Sequence, residues 1–172
     1  MFYLEVKDMY NKGEFVVKAT NGICEIVDVT TMNLSGENKE YYVLVPIGEK
    51  ASKVFVPVAT AENKIRPAMK KEDAWKFIKE INTVEEVLIE NEKEREKLYK
   101  EAINSCNPKC LVSILKELYL RRKKRLEDGR KLTNIDERYF KMAENQLYSE
   151  LAFALGVHKS EIDQIIEENV VF

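Results

Sequence analysis

The sequence predicts an α+β protein with an N-terminal antiparallel β-barrel and a C-terminal all-α helical bundle. Two observations predict it. Residues 1–68 hold four of the six glycines (Gly13, Gly22, Gly36, Gly48) and three of the four prolines among β-rich runs. From about Met69 onward the apolar period becomes helical.

The β-rich runs are Glu14–Lys18, Ile23–Thr30, Glu40–Pro46 and Lys53–Val58. Turn signals separate them: Asn21-Gly22 is a strong turn dipeptide, and Ser35-Gly36-Glu37-Asn38 suits a hairpin tip. Several short strands at close spacing predict a small, strongly bent antiparallel barrel over residues 1–68.

In residues 69–172, Ala74, Phe77, Ile78 and Ile81 mark a first helix. Val84, Val87, Leu88, Asn91, Arg95 and Leu98 fall on one face of a second, broken near Asn104–Pro108. A third runs from about Pro108 to Leu126, with Leu111, Ile114, Leu115 and Leu118 facing a core; Pro108 suits its first turn and Gly129 its end. Thr133 with Asp136 resembles a capping box ahead of a fourth helix carrying Phe140, Ala143, Leu147, Leu151 and Leu155. Gly156 ends it, and Ser160 with Asp163 starts a short last helix through Ile162, Ile165 and Ile166.

At 172 residues, 45% hydrophobic and 34% charged, the composition is that of an ordinary globular protein. The N-terminal MFYLEVKDMYNKGE lacks a signal-peptide layout, and no apolar run approaches the ~18 residues of a membrane span, so a cytoplasmic protein with reduced thiols is expected. Cys24, Cys106, Cys110 and His158 do not make a zinc set, and buried or unreactive thiols are expected. His158, in a helix–helix turn, suits capping or the surface. No phosphate-cradling glycine loop or nucleophile elbow is present, so neither an enzyme nor a small-molecule substrate nor a cofactor is expected.

The net charge of −2 gives no hint of nucleic acid, so any basic surface must be local. Lys109 to Arg130 contains eight basic and three acidic residues, including Arg121-Arg122-Lys123-Lys124-Arg125. Such a run either holds phosphates or is a solvated helix end that complements the helix dipole. Trp75, the only tryptophan, lies within Ala74-Trp75-Lys76-Phe77-Ile78, where an aromatic suits core or inter-domain packing.

The N-terminal pattern Gly13-Glu14-Phe15-Val16-Val17, Asn21-Gly22-Ile23-Cys24, Ser35-Gly36-Glu37-Asn38-Lys39-Glu40-Tyr41-Tyr42-Val43-Leu44 and Val54-Phe55-Val56-Pro57-Val58 resembles the polymerase-interacting domain shared by CarD/CdnL regulators and the transcription-repair coupling factor. Ile103–Arg122 and Leu132–Leu155 resemble the CarD/CdnL C-terminal domain in rhythm, so the resemblance covers nearly the whole chain. It implies a Tudor/SH3-like barrel that adds an edge strand against the RNA polymerase β subunit. It also implies a helical domain on promoter DNA at the upstream edge of the bubble, with phosphate contacts independent of sequence, in a monomer at the nucleoid.

Carried onto this chain, the polymerase-facing residues are Met32, Lys39, Tyr41, Lys53, Phe55 and Pro57. Met32 and Phe55 stand where relatives often carry arginine, and Phe55 suits barrel core as well as an interface. The DNA-facing residues are Lys93, Arg95, Arg121, Arg122, Lys124 and Arg125. The family's minor-groove tryptophan falls by spacing around Asn91-Glu92-Lys93-Glu94, where no aromatic stands. Acidic residues there would repel phosphates, which leaves a second reading open: an adaptor whose helical domain docks a protein instead of DNA.

Overall fold

The computed structural model describes residues 10–170. The reading of the N-terminus as free of a signal falls mostly on residues 1–9, outside the described residues. The chain divides into two compact units between Ala68 and Met69.

The first unit is a five-stranded antiparallel sheet. Its strands are β1 (Phe15–Lys18), β2 (Gly22–Leu34), β3 (Glu37–Pro46), β4 (Val54–Pro57) and β5 (Ile65–Pro67), in the order β4-β3-β2-β1-β5. Period-two alternation sends Val16, Cys24, Ile26, Tyr42, Leu44 and Val56 into one small core. Tyr10 closes it: its N–H donates to the Tyr42 hydroxyl at 3.2 Å, and the rings meet edge to face at 5.8 Å. A register shift between Ile26 and Asp28 leaves one extra residue in β2, the bulge that bends a strand.

The expected barrel is therefore an open curled sheet, with β4 and β5 as its edges. A 3-10 turn, Val58–Asn63, joins those two strands and buries Ala61. The three residues of β5, ending in proline, carry too short a pattern to announce a strand.

The β2–β3 hairpin is longer than its apolar pattern. Leu34 pairs with Glu37 across a two-residue loop in which Ser35 and Gly36 have φ of 61° and 84°. That is the left-handed pair of a type I′ turn, whose twist matches the strands. The mostly exposed arms Thr31–Leu34 and Glu37–Glu40 are carried by the ladder rather than by burial.

The second unit is a bundle of α1 (Lys71–Glu80), α2 (Arg95–Asn104), α3 (Pro108–Glu127), α4 (Asn134–Leu155) and α5 (Ile162–Asn169). Helix α4 touches the other four. Its Tyr139, Ala143, Leu147, Leu151 and Leu155 meet Ile78, Tyr99, Leu111, Leu118 and Ile162 in one core. The helix ends follow the sequence signals in part. Asn107 caps α3 by accepting from the Lys109 N–H at 2.9 Å, with Pro108 in the first turn. Gly156 ends α4 at φ 68°, a conformation that suits glycine.

Thr133 Oγ1 accepts from the Asp136 N–H at 3.2 Å, half of the expected box; the Asp136 carboxylate turns inward instead. Ahead of α5 the cap is His158 with Glu161 rather than Ser160 with Asp163. His158 Nδ1 accepts from the Ser160 N–H at 3.3 Å, and Glu161 accepts from the His158 N–H at 2.7 Å.

The second helix does not begin at Val84. Residues 84–94 form an irregular strap, and helix starts only at Arg95. Val84 is extended (φ −79°, ψ 123°), its carbonyl accepts from Lys116 Nζ at 2.6 Å, and the Val87 N–H donates to the Ser113 carbonyl at 3.3 Å. Val84, Val87 and Ile89 pack on the core, whereas Leu88 is 80% exposed. Asn91 completes the departure: its Oδ1 accepts from the Lys93 N–H at 3.0 Å, an Asx turn that competes with helix.

Strap and helix make opposite demands on Leu88. Leu147→Ala should lower stability by about 3 kcal/mol, and Leu88→Ala by less than about 0.5 kcal/mol, in urea unfolding followed by circular dichroism. A Leu88 cost as large as that of Leu147 would restore the helix.

Candidate functional site

The strand register gathers most of the barrel residues singled out by the sequence. Tyr41 lies opposite Pro57, Val43 opposite Phe55, and Met32 opposite Lys39. Alternation then places Met32, Lys39, Tyr41, Phe55 and Pro57 on one face of the sheet, opposite to that of Tyr42, Leu44 and Val56. Phe55 is 44% exposed, so it is not barrel core; Val54 and Val56 supply that side. Lys53 is exposed just before β4. Lys39 lies 2.9 Å from Glu37, an exposed pair of little energetic weight.

Backbone edges flank this face. β4 is short and ends in Pro57, which has no N–H to offer. β2 from Asp28 to Leu34 has β3 on one side and no strand on the other, the longest unpaired strand edge among the described residues.

The six cations of the helical unit fall into three environments. Arg95 and Arg121 are turned inward, with side chains 15% and 17% exposed. Glu92 joins them: its Oε2 accepts from Arg95 Nη1 at 2.5 Å, and its Oε1 accepts from Arg121 Nη2 at 2.7 Å. Behind them, Arg95 Nε lies 3.2 Å from Oδ1 of the fully buried Asp136, and Arg121 Nε donates to Glu117 Oε1 at 2.9 Å. The Arg95–Asp136 contact is an ion pair without hydrogen-bond alignment. Tyr99 completes the cluster by donating its hydroxyl proton to Glu117 Oε2.

Arg125 is half-buried at the end of α3, where its Nε donates to the Lys131 carbonyl at 2.8 Å. Lys93, Arg122 and Lys124 are exposed, as is Lys123, and none forms an ion pair among the described residues. Among the residues singled out and their neighbour Lys123, the exposed and unpaired ones are thus Arg122, Lys123 and Lys124 on α3 and Lys93 in the turn before α2.

The cluster shifts its own titrations. The Arg121 hydrogen bond holds the Glu92 carboxyl below its ordinary 4.5, against partial burial, with Arg95 adding to the effect. For Arg121 burial would lower the value, but Glu92 and Glu117 outweigh it and raise it. Burial first, then Glu117, pushes the Tyr99 phenol well up.

Sequence reasoning reached Arg95 and Arg121 without their anions. The Glu117–Arg121 spacing, i to i+4, was a legible signal. Asp136 was not, because its N-terminal helix position reads as a cap.

Other features carry less. Trp75, expected in a core or an inter-domain contact, is 37% exposed on α1, beside the buried Ala74, Phe77 and Ile78. Burial pushes the Cys24 thiol up to about 11, which keeps it protonated, and no group of three or more His, Cys, Asp or Glu could hold a metal among the described residues. No described helix is long and apolar enough to cross a membrane. A groove of about 440 Å³ runs between α3, α4 and α5, floored by Leu115, Phe140 and Ile166 and edged by Arg122, Glu144 and Asp163.

Residues 10–69 match the family model of the CarD-like/TRCF RID domain. Residues 76–167 match that of the CarD C-terminal domain, more than half of the chain. A comparison with curated proteins finds no match.

A carboxylate whose folded pKa is depressed contributes stability above its unfolded pKa and loses it as pH falls through the folded value. Glu92→Gln should therefore be less stable than the parent at pH 7. The difference in urea midpoint should shrink as pH falls below 4.5. A difference independent of pH would remove the ionic account of Glu92.

Proposed function

This chain belongs to the CarD/CdnL family of RNA polymerase-interacting transcription regulators, and from that premise we propose that it ties the polymerase β subunit to promoter DNA at the upstream edge of the bubble. It acts in this reading as a cytoplasmic, nucleoid-associated monomer, without cofactor or catalysis. The observation that carries the polymerase half is the face of Met32, Tyr41, Phe55 and Pro57 beside the unpaired edge of β2.

Strand addition along Asp28–Leu34 would supply main-chain hydrogen bonds with little demand on side chains. The apolar Met32 and Phe55, standing where relatives often have arginine, would then give contact area in place of charge. On the DNA side, support comes from Arg122, Lys123 and Lys124, which are exposed and unpaired by any carboxylate among the described residues. Their contacts would hold phosphates and confer affinity without sequence choice.

A second reading has its own observation. Two of the six expected DNA-facing cations are neutralised inside the unit, and the groove between α3, α4 and α5 offers an apolar floor. An adaptor docking a protein partner would use that groove.

Two experiments test these readings. The full chain should co-purify with the polymerase β subunit, and Phe55→Glu should weaken that association by about tenfold or more; no recovery of β by the folded parent would sink the polymerase half. Binding to a forked promoter fragment should fall steeply with salt. Arg122→Ala with Lys124→Ala should flatten the log–log slope by roughly one unit per lost phosphate contact. An absence of binding at low salt would leave the adaptor.

A further inference from the structure

Two guanidinium groups converge on a single carboxylate. Glu92 accepts from Arg95 on α2 through Oε2 at 2.5 Å. From Arg121 on α3 it accepts twice, at 3.2 Å and 2.7 Å. The arginine side chains are 15% and 17% exposed, but Glu92 is 62% exposed. The anion thus sits on the solvent side of cations held from behind by Asp136 and Glu117. Planar forks fixed from the rear, with free N–H edges meeting on two oxygens, are what recognition of a planar or tetrahedral oxyanion requires.

We propose that Arg95 and Arg121 form a phosphate site that Glu92 occupies in the free protein, and that a DNA backbone phosphodiester displaces the Glu92 carboxylate on binding. The displacement rests on the DNA reading above; the anion site does not. Two arginines and three carboxylates give the cluster one net negative charge, and exchanging Glu92 for a phosphodiester, also singly charged, leaves that balance unchanged. The exchange needs no helix to unwind, because Glu92 lies in the turn before α2. Lys93, the next residue in the same turn, is exposed. Glu92 is thereby an internal competitor at the high effective concentration of a tethered ligand, so the intact chain binds through this site more weakly than its arginines allow.

The test uses the full-length chain, its Glu92→Ala variant, and Glu92→Ala combined with Arg121→Lys, which keeps the charge but loses the fork. Melting temperature is followed against inorganic phosphate, with sodium chloride matched for ionic strength. Phosphate should raise the melting temperature of Glu92→Ala above its chloride control, leave the parent unchanged, and lose its effect in the double variant. No phosphate-specific rise in folded Glu92→Ala, or an equal rise in the parent, overturns the site.

Against a forked duplex, Glu92→Ala should bind several-fold more tightly, because the phosphate no longer competes with the carboxylate, and the gain should be lost when Arg121→Lys is added. A phosphate response together with parental DNA affinity overturns the displacement. A phosphate response in which neither protein binds DNA at low salt overturns the displacement and the DNA reading together, while the anion site stands.

Discussion

Arginine cannot lose its proton inside a protein, so burying its side chain among helices obliges the fold to bring it anions. Arg95 and Arg121 impose that constraint on the helical unit. Satisfying them draws in Asp136 from α4, Glu117 from α3 and Glu92 from the turn before α2, with Tyr99 hydrogen-bonded to Glu117. One charge cluster thereby fixes the separation of three helices. It also anchors the turn that ends residues 84–94, whose earlier residues Lys116 and Ser113 hold out of a helix. Apolar packing alone would specify neither, because Val84, Val87 and Ile89 could serve a helix or a strap.

The legibility of the fold follows the same division. Elements whose signal is local were readable. Asn107-Pro108 at a helix start, Gly156 at a helix end and Ser35-Gly36 at a hairpin tip each act within a few residues of themselves. Elements decided by distant partners were not. The helical spacing of Val84, Val87, Leu88 and Asn91 is genuine, yet Lys116 and Ser113 of α3 take the backbone groups a helix would have used. Asp136 read as half of a cap because nothing within three residues of it reveals an arginine 41 positions upstream, and β5 stayed hidden because its three residues acquire strand geometry only by pairing with β1.

The candidate sites divide likewise. On the sheet, the residues carried over from the family pattern came without a shared face, and Phe55 was left open between core and interface. Pairing with Val43, on the side opposite to Tyr42 and Leu44, settles it. On the helices, a run of five consecutive cations spans more than one full turn and so must point in several directions. Arg121 faces the interior, Arg125 ties the end of α3 to the following loop, and the residues between them face water. Counting charges located the basic segment but could not apportion its members.

That apportioning bears on the missing tryptophan. By the spacing of the CarD/CdnL resemblance, an aromatic wedge is expected at Asn91-Glu92-Lys93-Glu94, where this chain has no aromatic. A carboxylate there looks at first like simple repulsion of DNA. Glu92 is instead held by two arginines that Asp136 and Glu117 also pair, so the cluster keeps one net negative charge with its carboxylate outermost. Under the proposed displacement, the position would work on charge rather than on bases. An aromatic wedge favours a distorted minor groove and so acts on the state of the DNA. A carboxylate exchanged for phosphate acts on how many cations the protein presents, which alters affinity and salt dependence without reading groove shape. Under the proposed two-anchor reading, with a strand edge as the other contact, a weak and adjustable grip on the duplex would let the polymerase contact dominate where the protein goes.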